Sequence, residues 1–355
     1  MNIFKKNPGR GFAKTFAVLT ACFIFSSCVT SITANIERPA ELDLGGANRI
    51  AVIPFQTSDN EKYNDSHSDR SGSILLAIGG FIFDAMQPSP NEGVQKDIAE
   101  YITGHLTEAV NSSNYFKMVE PQKVLSALKE NKTVPTDVYL TGKIRSLKTD
   151  IDEDKKTVEK TDSNGNKTTS VEWSYCKTVE TTVSYSVVSA KDNIVIGTRE
   201  KTLKKSSSYY SSRRSLPDEM DLLKSELDSL ISKIMHEIQP YTITKKLDLL
   251  KDKSKDDRMK KANDYAKDGK LNDALKIYKS VYKENKNFEA GYNAAQILIA
   301  KNELNEARSL MEKLYSSTGD KRASDSLKLI NEEIVYAERL KKQQEARKQN
   351  GSSLQ

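Results

Sequence analysis

Apolar positions along this chain fall into short strand-like runs alternating with longer helical stripes. The first packed element is Arg49-Ile-Ala-Val-Ile-Pro-Phe55, a nearly unbroken apolar run stopped by a proline, as expected of a buried strand opening an α/β unit. From Asn91 to Ser113 the residues Val94, Ile98, Ile102, Leu106 and Val110 recur at four-residue spacing, with Ala99 and Tyr101 widening the stripe. This predicts an amphipathic helix capped at Asn91. Tyr115 to Glu120 reads as a strand, and Pro121 opens a second helix whose apolar face is Val124, Leu125 and Leu128. Asp137 to Lys148 is a long alternating strand. The Asn164-Gly165 turn between charged, Thr-rich arms predicts a hairpin. Strands follow at Val171 to Ala190 and Asn193 to Lys204, then a polar loop from Ser206 to Arg214. A helix opened by Pro217 carries the stripe Leu222, Leu223, Leu227, Leu230, Ile231, Ile234 and Ile238. The predicted order is β-α-β-α-β-β-β-α, an α+β fold with helices packed on a mixed sheet.

Past this region the period changes. Two segments align with an offset of 33 residues: Ala262 with Ala295, Leu271 with Leu304, Ala274 with Ala307, Tyr278 with Met311 and Val281 with Leu314. Small residues stand where two helices cross and large ones in the groove between them, a pattern that resembles the tetratricopeptide repeat. The closing proline of each repeat is absent, with Lys286 near that position in the first. Such repeats bind peptides with the first helix of each pair. The resemblance therefore implies Asn263, Lys267, Tyr292 and Gln296 as groove residues for a protein partner. A final helix, with Leu327, Ile330, Ile334 and Ala337 on its packed face, should cap the stack and dissolve into a charged, solvated end.

At the other terminus, a basic segment (Lys5 to Lys14), a ten-residue apolar run (Phe16 to Phe25) and two serines precede Cys28. That is the form of an export leader, and the run is half the ~20 residues a spanning helix needs. Phe25-Ser-Ser-Cys28 resembles the lipobox of bacterial lipoproteins, with Phe25 where leucine is usual. The resemblance implies acylation of Cys28, palmitate-type chains holding a soluble body on a membrane. The alternative is an ordinary secretory signal cut near Ser27. Val29 rather than Asp after the cysteine resembles the enterobacterial sorting pattern, which implies the outer membrane, on its periplasmic side. With Cys22 in the leader and Cys28 lipidated, Cys176 has no disulfide partner and reads as a half-buried small residue in a strand. Another apolar run, Ile74 to Phe83, sits between polar stretches. It needs either a core or interface position, or a lipid-facing or partner-facing one.

The expected organisation is a leader (1–27), a tether (28–47), an α+β domain (48–244), two repeats (245–318), a capping helix (319–348) and a disordered tail (349–355). The opening strand, the Tyr115-Phe-Lys-Met-Val-Glu120 segment and Asp137-Val-Tyr-Leu-Thr-Gly142 look like a group of envelope lipoproteins. That group includes curli-assembly secretion lipoproteins (CsgG-like) and activators of penicillin-binding proteins (LpoB-like). The resemblance implies a periplasmic, non-enzymatic domain that forms homo-oligomers or docks on an envelope partner. Two features depart from it. The arm Lys148 to Asp162 carries charge on both faces, unlike a hairpin that must face lipid, and the relatives do not generally carry the C-terminal third.

Charge and chemistry narrow the function further. Removing the leader's four basic residues from the total of 55, against 49 acidic ones, leaves about +2, too weak a field to indicate nucleic-acid binding. The distribution is uneven: from Lys245 onward there are 25 basic and 18 acidic residues. The repeat module could meet an acidic partner or anionic lipid, or simply present a Lys-rich solvated surface. The sequence contains no phosphate loop, nucleophile elbow, zinc-binding helix or Cys-x-x-Cys pair, and His67, His105 and His236 lie far apart. The acids Asp152, Glu153 and Asp154 sit in the hairpin arm and read as edge protection. The reading is a membrane-anchored, non-enzymatic assembly or regulatory scaffold without catalytic residue, metal or cofactor beyond the lipid on Cys28. The alternatives are a curli-type secretion-channel subunit and an envelope hydrolase.

Overall fold

The computed structural model describes residues 30–57 and 92–352. Cys28, His67 and the Ile74 to Phe83 run lie outside them. The described chain forms two compact units: residues 30–32 with 246–297, and residues 33–57 and 92–245 with 298–352.

The larger unit is built on a six-stranded sheet. Its strands are β2 (Arg49–Val52), β3 (Gln56–Thr57), β4 (Lys117–Met118), β5 (Val138–Thr161), β6 (Lys167–Ser189) and β7 (Val195–Ser206). The order is β4-β2-β5-β6-β7, with β3 beside β5. The β4, β2, β3 and β5 pairings are parallel and the β5-β6-β7 pairings antiparallel, which makes the sheet mixed, as the order of elements implied.

Alternation along the strands decides which helix covers which face. Ile50, Val52, Val138, Leu140 and Ile144 point to one side, against α1 (Glu92–Ser113) through Ile98, Ile102 and Leu106 and against α3 (Glu219–Ile238) through Leu223, Leu227 and Ile234. Ala51, Ile53, Tyr139 and Val188 point to the other, against Val124 and Leu128 of α2 (Pro121–Lys129). Burial pushes the Tyr139 phenol up to about 12. Asp137 ties the strand ends together: its carboxylate accepts from the Asn48 and Arg49 amides at 2.9 and 2.8 Å and from the Arg49 guanidinium at 2.7 Å. Burial alone would raise that carboxyl, but these hydrogen bonds outweigh it and hold it low. Gly142 lies beneath Phe55, where a Cβ would stand in the aromatic ring.

Beyond the sheet, β5 and β6 continue as a two-stranded ribbon to the Asn164-Gly165 turn, where Gly165 takes φ +82° and the Asp162 carboxylate accepts from the Asn164 and Asn166 amides. The strand and the charged arm, distinct in the sequence pattern, are thus one element. Cys176, read from the sequence as half-buried, is buried, with its thiol 3.2 Å from the Ser207 carbonyl. The last helix starts at Glu219, two residues after Pro217.

Two expectations about the termini are corrected. The stretch read as a tether contains β1 (Thr30–Arg38), which pairs with β8 (Tyr241–Leu249) in a two-stranded sheet and buries Ile32, Ala34 and Arg38. The end read as a solvated tail is helical through Ser352. Helix α8 (Lys321–Ser352) runs on past its apolar stripe, and polar side chains there find partners on the α+β body.

Candidate functional site

The helical repeat is made of α4 (Asp257–Lys267), α5 (Leu271–Asn285), α6 (Phe288–Ala300) and α7 (Leu304–Thr318). In the first pair the crossing points are the fully buried Ala262 and Ala274, with Tyr278 filling the groove between the helices. Gly269, at φ +75°, makes the turn. The absent proline is replaced in function by Lys286, which ends α5 in the left-handed conformation at φ 52°; Gly319 does the same for α7 at φ 64°.

The four groove residues expected from repeat position have different environments. Asn263, on α4, accepts a 2.5 Å hydrogen bond from the Tyr278 hydroxyl and so braces the pair. Gln296, on α6, is only 5% exposed. Lys267 is exposed at the end of α4, and Tyr292 is half-buried with its ring 6.1 Å from that of Phe288. Lys267 is thus exposed, Asn263 and Tyr292 are half-buried, with Asn263 engaged by Tyr278, and Gln296 is buried.

Sequence reasoning missed two asparagines of the same unit. Asn293 is fully buried and grips the Leu250 backbone at both ends, its amide oxygen accepting from Leu250 N–H at 2.7 Å and its amide nitrogen donating to Leu250 C=O at 2.9 Å. Asn287 caps α6 through the Ala290 amide at 2.7 Å and donates to Asp252 at 2.9 Å. Burial would raise the Asp252 carboxyl, but bonds from Asn287 and Ser254 hold it low. An Asn one turn into a helix beside a polar linker is the signal that could have pointed to this stitching.

In the larger unit, α1 and α3 flank an open cleft of about 570 Å³ that brings His105 and His236 together with Glu108, Asp228 and Tyr241. Their wide separation in sequence had hidden this. His236 stacks on Tyr241 at 3.9 Å, and Asp228 accepts from the Tyr101 hydroxyl at 2.7 Å. Among the described residues no three His, Cys, Asp or Glu side chains converge on a metal position. The Asp152 to Asp154 acids stand on the exposed ribbon, where Glu153 pairs with Arg213.

Comparison with known proteins places the repeat. Residues 265–328 match the tetratricopeptide repeat family, so the chain couples a mixed α+β body to a helical repeat region of that type. No curated protein matches the chain. Among solved structures, the PelC dodecamer from Paraburkholderia phytofirmans is similar at 13% identity and a TM-score of 0.23, over 59% of this chain and 98% of that one. Lipoprotein GNA1162 from Neisseria meningitidis is similar at 9% identity and 0.22, over 53% and 97%. A putative neuraminyllactose-binding hemagglutinin homolog from Helicobacter pylori is similar at 11% and 0.27, over 57% and 87%. At such scores and identities these likenesses do not establish a shared fold. Among the described residues, no helix is long and apolar enough to cross a membrane.

Proposed function

We propose that this protein is a lipid-anchored envelope scaffold, held on the outer membrane through acylated Cys28, that binds a protein partner and performs no catalysis. Its α+β body is of the CsgG/LpoB-like type. The observation that carries this reading is the tetratricopeptide match over residues 265–328, because such repeats expose a groove whose use is peptide and protein contact. Within that groove Lys267 and Tyr292 make the contact, and Asn263 and Gln296 hold the helices in place. Anchoring supports the same reading: confinement raises the effective concentration of an envelope partner toward about millimolar, so a modest interface suffices. The channel-subunit reading is weaker, because Glu153, Lys155 and Glu159 share the ribbon face of Trp173 and would have to enter lipid.

Crosslinking capture from native envelopes tests the proposal. The full-length protein should recover a defined partner from the membrane fraction. A Lys267→Ala/Tyr292→Ala variant should lose that partner while remaining on the membrane. Cys28→Ala should move the protein into the soluble envelope fraction. A native polypeptide that still begins at Met1, unacylated and cytoplasmic, would overturn the anchoring; partner capture indifferent to the groove substitutions would overturn the docking site.

A further inference from the structure

In the loop from Ala40 to Asn48, between β1 and β2, the backbone carbonyls of Ala40, Glu41, Gly45 and Ala47 take their donors from α8. Gln343 donates to Ala40 C=O at 3.0 Å while its own amide oxygen accepts from Ala40 N–H at 3.0 Å. Arg347 donates to Ala47 C=O at 2.8 Å and to the Tyr115 carbonyl, with its guanidinium 4.0 Å from the Tyr115 ring centre. Asn350 donates to Gly45 C=O at 2.8 Å, and Arg339 to the Glu41 carbonyl. Four donors at 339, 343, 347 and 350 lie on one helical stripe. Gly46, at φ +76°, lets the helix come close: a Cβ there would stand 2.5 Å from the Ala346 backbone.

The contact is specific but shallow. Among the described residues of α8 after Glu333 none is fully buried, so this end of the helix rests on polar bonds over a half-covered surface. Segments held in this way open at far lower free energy than a core helix such as α3. Once lifted, the stretch from Arg339 to Asn350 stays helical by composition, since Lys, Gln, Glu, Ala and Arg are strong helix formers. The stripe then remains pre-formed while the loop and the Tyr115 ring lie open.

We propose that the Ala40–Asn48 loop with Tyr115 is a helix-docking site, filled in this structure by the chain's own α8, and that α8 of a second copy takes it when the resident helix lifts. The second copy fits by identity, because it presents the same Arg, Gln, Arg and Asn donors at the same spacing. Exchange between copies keeps every contact, so it is governed by local concentration alone. This inference does not depend on the lipid or on the repeat groove.

Complementation between two full-length variants tests it. Gln343→Ala/Arg347→Ala keeps the loop and loses the donors. Gly46→Val keeps the donors and blocks the loop. By light scattering each variant alone should be monomeric at concentrations where the wild type begins to dimerise, and an equimolar mixture should form a heterodimer. A mixture that stays monomeric, with both variants retaining wild-type circular dichroism, overturns the proposal. Should Gly46→Val not fold, a synthetic peptide of residues 335–352 is titrated into the two other chains. It should bind the Gln343→Ala/Arg347→Ala chain about tenfold or more tightly than the wild type, whose own helix competes at high effective concentration. Equal binding, or none, overturns it.

Discussion

At the scale of single residues, the most consequential side chain outside the core clusters is Glu333 on α8. Its carboxylate is buried and accepts from the two terminal guanidinium nitrogens of Arg38, one at 2.7 Å, and from the Lys245 ammonium at 2.9 Å. Arg38 in turn lies 4.3 Å from the Tyr336 ring centre. Burial by itself would raise the Glu333 carboxyl, but the bonds from Arg38 and Lys245 outweigh it and hold it below 4.5. A native value under the unfolded one means that its contribution is complete above pH 4.5 and is lost as pH falls through the native value. Glu333→Gln should lower stability at neutral pH by about 3 kcal/mol, because two cations lose their shared counter-charge in a dry site. It should also flatten the acid limb of the stability profile. Denaturant melts of both proteins from neutral to acid pH check this, and parallel curves would refute it. The residues that brace the repeat were partly visible in the sequence. Ala262, Ala274 and Tyr278 follow from spacing alone, whereas Asn293 does not, since its partner Leu250 is distant in the chain; the same holds for Glu333 and Arg38 in the larger unit.

At the scale of elements, the β5–β6 ribbon separates local from tertiary causes. Its turn and alternation are local, so the hairpin was legible from Asn164-Gly165 and the Thr-rich arms. Its length was not, because charged strands that protrude from a sheet follow no burial pattern. Cross-strand register places Ile151, Trp173 and Val171 on one face, 40, 44 and 47% exposed, and Asp150, Asp152, Asp154 and Glu172 on the other. Lys155 lies 5.5 Å from the Trp173 ring centre. The outer ribbon therefore adds almost nothing to the core. Replacing Lys156 to Glu172 with Asn-Gly should shift the melting temperature by less than about 2 °C, the range of surface changes. Trp173, the single tryptophan, should emit as an exposed indole before and after the change. A larger loss, or a buried emission spectrum, would show that the ribbon is packed.

On the scale of the whole molecule, the boundary that the sequence suggests near residue 244 falls within a residue of the division between the compact units at 245/246, but residues 298–352 group again with 33–57 and 92–245. A chain ended at Thr244 would keep both core clusters yet lose the Glu333 carboxylate from Arg38 and the α8 donors from the Ala40–Asn48 loop. It should melt several degrees below the full-length protein, about 2–4 °C for each kcal/mol lost. Its amides at residues 40–48 should exchange faster, while those of α3 stay protected. Matching melting curves and exchange for the two chains would contradict this assignment of the terminal helix.

The sequence by itself determined the α+β order, the apolar stripes of the helices, the helical pairs and the turn of the ribbon. Each of these depends on a periodicity or a turn preference contained within a few residues. Only the tertiary structure decided that β1 is a strand, that the charged end of α8 is docked, and that His105 and His236 share one cleft. Strand β1 buries only Ile32 and Ala34 as apolar side chains, and its pairing partner lies some two hundred residues away. The α8 stripe is polar because it answers backbone carbonyls rather than an apolar core, and polar complementarity between distant segments leaves no period in the chain.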